Sequence, residues 1–162
     1  MGLLELCCPE TGTAALETQT MIANYTTSIP AQRTLGEVMG MLASNGATLV
    51  MVENTDDGKP SSLSFKIRNM AFRLPIYPEA MLSALRRDGA PPRYCTIDHA
   101  SNVAWRVIRD WLRAQIALID SGMVALDEIM LPYALTPGGQ TALERYRDGT
   151  LALGPGAHQE GG

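Results

Sequence analysis

Leu63-Ser64-Phe65-Lys66-Ile67-Arg68-Asn69-Met70-Ala71-Phe72-Arg73-Leu74 is two alternating runs joined by a polar dipeptide. Leu63, Phe65 and Ile67 alternate with Ser64, Lys66 and Arg68, the period of a strand with one wet face. Arg68-Asn69 turns the chain, and the second run ends at Pro75. The pair predicts an antiparallel hairpin with Phe65 and Phe72 facing a core.

Upstream, Leu49, Val50, Met51 and Val52 form an unbroken apolar run, as expected of a central strand covered on both faces. Asn54-Thr55-Asp56-Asp57-Gly58-Lys59-Pro60 separates it from the hairpin with dense turn chemistry. Before it, Thr34-Leu35-Gly36-Glu37 has the spacing of a capping box, in which hydroxyl and carboxylate satisfy each other's backbone N–H. Leu35, Val38, Met39 and Leu42 then recur at helical spacing, and Asn45-Gly46 supplies the C-cap. Tyr25-Thr26-Thr27-Ser28-Ile29, closed by Pro30, reads as a first strand. The order is β-α-β-β-β, a small and mostly antiparallel sheet with a helix on one side.

Downstream the period changes to helical. Pro78 opens a helix that stops at Asp88-Gly89. A long helix is predicted over residues 101–121, with Ala104, Ile108, Trp111, Leu112, Gln115, Leu118 and Ile119 on its buried face and Trp105 off it. Residues 124–131 read as a short helix broken at Pro132, and residues 140–146 as a last turn or two. The fold class is α+β, with a helical C-terminal half. Residues 1–20 read as a flexible lead, 21–147 as one domain and 148–162 as a flexible tail, with Met21 as well as Met1 a candidate native start.

At 162 residues, with 46% hydrophobic and 19% charged content, the chain has globular composition and needs no disulfide or metal to fold. Cys7, Cys8 and Cys95 are an odd set, which fits a reducing compartment. No stretch approaches the length of a membrane span. A cytoplasmic location is expected.

The charge is unevenly placed. Residues 59–113 hold ten basic side chains against four acidic ones, although the whole chain is at −4. Arg106, Arg109 and Arg113 recur at i, i+3 and i+7, a stripe whose planar donor forks suit successive phosphates. Lys66, Arg68 and Arg73 belong to the wet side of the hairpin. These six are the candidate nucleic-acid contacts. Chemistry is poorly represented: Asp98-His99 is the one acid–base pair, Asp56-Asp57-Gly58 lacks the rest of a calcium ligand set, and Pro137-Gly138-Gly139-Gln140 lacks the lysine of a phosphate loop. No catalytic residue, cofactor or metal site is assigned.

Several segments resemble a family of small uncharacterised proteins of bacteriophages, prophages and other mobile elements. They are Val103-Ala104-Trp105-Arg106-Val107-Ile108-Arg109-Asp110-Trp111-Leu112-Arg113-Ala114-Gln115, Tyr25-Thr26-Thr27-Ser28-Ile29-Pro30, Phe72-Arg73-Leu74-Pro75 and Leu131-Pro132-Tyr133. The resemblance spans about residues 21–147 and implies a phage setting, in DNA metabolism or in countering host defence, without implying an activity. The expectation is a non-enzymatic accessory protein that binds nucleic acid through its basic middle. The alternative is a protein-interaction module, an inhibitor of a host factor or a homo-oligomeric adaptor, with Trp105 as its interface anchor.

Overall fold

The hairpin forms as its alternation predicts. In the computed structural model, which describes residues 21–152, strand β2 (Pro60–Ile67) and strand β3 (Met70–Leu74) pair antiparallel around Arg68 and Asn69, with Phe65 opposite Phe72. The expected lead and most of the expected tail lie outside the described residues. Strand β1 (Ala47–Asn54) pairs antiparallel with β2, giving a three-stranded sheet in the order β1-β2-β3.

The register sets two faces. Val50, Val52, Leu63, Phe65, Phe72 and Leu74 point to the inner face, where helix α1 (Ala31–Ser44) and helix α3 (Ile97–Asp120) cover them. Leu49, Met51, Ser64, Lys66 and Arg73 fall on the outer face. Helix α2 (Pro78–Arg87) packs on the other side of α3, where Leu85, Ala100 and Val103 form a second, smaller cluster. Helix α4 (Leu126–Met130) and helix α5 (Ala142–Arg147) complete the order, and the class is α+β.

Five sequence expectations are corrected. Residues 25–29 are not a strand: the chain turns at Asn24, whose φ is +64°, and runs along α3. Asn24 Nδ2 donates to Asp110 Oδ2 at 2.8 Å, and Tyr25 packs its ring edge-on against Tyr94. These attachments, to α3 and to the turn that precedes it, take the place of a strand partner.

The capping box is not used at Thr34. Helix α1 starts one turn earlier, because Asn102 Oδ1 on α3 accepts the Ala31 N–H at 2.8 Å and caps the helix from outside it. Thr34 is thereby drawn into the helix and fully buried, and its hydroxyl has no hydrogen-bond partner among the described residues. The same pattern works at Thr141: its Oγ1 accepts from the Glu144 N–H at 3.2 Å, while Glu144 Oε2 accepts from the Thr141 N–H at 2.6 Å.

Strand β1 is an edge strand, not a central one, because the β2–β3 hairpin places β2 in the middle. Its Leu49 and Met51 are 53% and 55% exposed because they point to the outer face of the sheet, whereas Val50 and Val52 pack on the core.

Finally, the two tryptophans exchange places. Trp105 is completely buried, with Nε1–H donating to Pro60 O at 3.1 Å, and Trp111 is only partly buried, edge-on to Tyr133. The expected interface anchor is a core residue. Helix α3 also begins at Ile97, earlier than expected, because Thr96 Oγ1 accepts from the His99 N–H at 3.2 Å.

Two substitutions check this packing by urea unfolding. Trp105→Ala lowers stability by about 3–5 kcal/mol, and Trp111→Ala by distinctly less. Thr34→Val keeps the shape, removes the unsatisfied hydroxyl and raises stability by about 1 kcal/mol.

Candidate functional site

Between α1 and α3 the arginine stripe meets an acid. Glu37 projects from α1 and accepts from Arg106 Nη1 at 3.1 and 3.2 Å and from Arg109 Nη1 at 2.8 Å. Arg109 also donates to Asp110 Oδ1, from Nε at 2.8 Å and from Nη2, and Asp110 in turn holds Asn24. The Arg106 and Arg109 side chains are left only 11% and 12% exposed. Their hydrogen bonds go inside the molecule, to Glu37 of α1 and to Asp110 of α3 itself, while Arg113 one turn on is exposed.

The electrostatics agree with the geometry. Hydrogen bonding from Arg109, helped by the charges of Arg106 and Arg109, holds Glu37 below its ordinary value of 4.5 despite partial burial. Burial pushes Asp110 upward, but hydrogen bonds from Asn24 and Arg109 and the two arginine charges outweigh it, leaving Asp110 below 3.8. For Arg109 burial works downward and is outweighed by its two acidic partners, so it is more firmly cationic than usual.

The other three candidate cations lie on the hairpin. Lys66 and Arg73 are diagonal neighbours on the outer face, Lys66 exposed and Arg73 donating from Nη2 to Gly139 O at 2.9 Å. Arg68 sits in the turn with φ +54°. The aromatic rings of Phe65 and Phe72 are in the core, so the outer face offers no phenyl ring for base stacking.

Asp98 and His99 face different partners. Asp98 pairs with Lys59, which also binds Asp57 at 3.1 Å, whereas His99 Nε2–H donates to Tyr25 O at 2.6 Å and its ring lies against Tyr94. The arrangement fastens the 21–30 segment and the β1–β2 loop to the start of α3. Among the described residues no three of His, Cys, Asp and Glu converge as metal ligands, and no helix is long and apolar enough to cross a membrane.

Two surfaces remain, and sequence reasoning named neither. The first is the outer edge of β1. In an antiparallel ladder successive residues send their N–H and C=O to opposite sides. Ala71 O accepts from the Leu135 N–H at 2.7 Å, so Ala71 points away from β2. Carrying that alternation across the sheet aims the backbone groups of Leu49, Met51 and Glu53 at β2, and those of Val50 and Val52 at the open side. Among the described residues no segment pairs with that side, whereas Ala134 bridges to Phe72 at the middle of the β3 edge. The signal for an edge was available in the sequence, since the hairpin rule already placed β2 beside β3.

The second is a cleft of about 270 Å³ at one end of the molecule, between the hairpin tip, the end of α1, the C-terminal half of α3 and α4. Phe65, Leu112, Ile116 and Met130 line it, and Arg68, Asn45, Gln115 and Asp120 stand around it.

No family model, curated protein or solved structure matches this chain.

The Glu37 network makes stability depend on pH. Its carboxylates have depressed folded values, so their contribution is complete above about pH 4.5 and is lost as pH falls through those values. Thermal melts between about pH 6 and pH 3 should show the midpoint falling in the acid range, less steeply in Glu37→Gln. Arg106→Ala with Arg109→Ala should destabilise the fold at neutral pH, because it leaves Glu37 beside α3 without its cations.

Proposed function

We propose that this protein is a non-enzymatic interaction module that pairs with a second copy of itself along β1. One observation carries the reading: among the described residues β1 is an open edge of the sheet, and Leu49 and Met51 are both more than half exposed beside it. Unpaired strand edges take up other strands, and natural edges are usually blunted by lysine, proline or inward-pointing charge. Between Leu49 and Glu53 the regular run of β1 has no lysine or proline, and its one charge, Glu53, is at the end. Main-chain hydrogen bonds along such an edge supply affinity, and side chains on the sheet face supply specificity.

The run is also self-complementary. A two-fold axis at Met51 sets Val50 of each copy opposite Val52 of the other, so the outward backbone groups of both residues are paired in each chain. Met51 then meets its own counterpart on the outer face, and Leu49 lies opposite Glu53 of the second copy. An isologous contact of this kind closes on itself.

The phage context implied by the sequence resemblance accommodates a small adaptor. The nucleic-acid alternative retains Lys66, Arg68 and Arg113 as exposed cations, with Arg106 and Arg109 committed to Glu37.

Sedimentation velocity over a range of concentrations decides between them. The expected result is a reversible species of twice the 17.5 kDa chain mass, weakened at least about tenfold in Met51→Lys and in Val50→Pro, which removes one outward N–H. A wild-type chain that stays monomeric at high micromolar concentration overturns the proposal. If that monomer binds duplex DNA, and Lys66→Ala with Arg113→Ala reduces the slope of log K on log salt by about 0.9 per lost phosphate contact, the nucleic-acid reading takes its place.

A further inference from the structure

A separate observation concerns the cleft. We infer that it binds a small apolar molecule carrying one anionic group, with the apolar part on Phe65, Leu112, Ile116 and Met130 and the charge on Arg68. Its volume of about 270 Å³ exceeds the ~150 Å³ of a dry cavity that takes up benzene and approaches the lower bound of ordinary ligand pockets. Phe65, Leu112 and Met130 are buried members of the core, so the floor is held in place by packing. Ile116 and Leu126 are only partly buried and present the apolar surface that a ligand would cover.

Arg68 supplies the polarity. It is exposed, lines the cleft, and has no acidic partner among the described residues. It also occupies the first position of a two-residue hairpin turn at φ +54°, a conformation that glycine adopts freely. A non-glycine residue is strained there, and strain of this sort is retained where a side chain has work to do. Asp120, at the last turn of α3, lines the same cleft. Its carboxylate repels a second anion, so an anionic group is directed to the hairpin side and not to the helix side.

The probe is 1-anilinonaphthalene-8-sulfonate, an apolar ring system with a single sulfonate, added to the full chain while near-UV circular dichroism reports native packing. The expected result is a saturable 1:1 fluorescence rise that decanoate displaces and decylamine does not. Arg68→Gly should weaken binding about tenfold, the scale of one charge-assisted contact, while raising the thermal midpoint by relieving the turn. Those opposite signs separate a ligand contact from a structural residue, whose replacement would move both readouts together. Ile116→Trp should abolish binding by filling the cleft, and Ile119→Phe does the same from the adjoining turn if the first variant fails to fold. No saturable signal, equal displacement by decylamine, or unchanged affinity in Arg68→Gly overturns the assignment. So does a signal that disappears as protein concentration rises, which would place a second copy over the cleft.

Discussion

The indole of Trp105 fixes the rotation of α3, and much of the molecule follows from it. With the ring fully buried and its N–H on the carbonyl of Pro60, the helix is tied to the first residue of β2. A buried indole donor without a partner would be costly, so this bond excludes small rotations as well as large ones. Once Trp105 faces the sheet, Leu112 joins the same core, Val103 and Ala100 turn toward α2, and Arg106 and Arg109 come to lie against α1. One side chain therefore places two cores and an ion network.

That network changes the meaning of the charge distribution. In sequence, three arginines at helical spacing form a stripe. In the fold, two of them are committed to Glu37 and Asp110; the bonds to Glu37 hold α1 to α3, and Asp110 in turn holds the 21–30 segment through Asn24. Local net charge counts residues along the chain, whereas a surface potential depends on what approaches from elsewhere. Glu37 lies far upstream of the arginines it meets, and nothing in the basic region announces it.

Short-range features were legible and long-range ones were not. The β2–β3 hairpin, the glycine C-cap at Gly46 and the proline start of α2 each depend on a few neighbouring residues and appear as read. The face that α3 buries is not legible from periodicity, because apolar residues surround more than half of the helix. A helix wedged between the sheet and α2 has no single apolar stripe, so periodicity could not choose between Trp105 and Trp111. Thr34 and Thr141 carry the same four-residue capping pattern, yet only Thr141 uses it, because Asn102 from another helix had already set the start of α1. The candidate site was the least legible part. An open strand edge is defined by what fails to arrive beside it, and a cleft by four segments that the sequence does not connect.

The bridge between Ala134 and Phe72 has a consequence for stoichiometry. A sheet with two bare edges can grow from both sides without limit, which is the geometry of a fibre. Here the far edge is blocked at its midpoint by the chain's own 134–135 segment, which leaves one docking line per molecule among the described residues. A body with one such line has a valence of one. Strand addition to it would stop after a single step, so the segment that bridges β3 would limit growth through the sheet edges to a pair without touching the surface where pairing would begin.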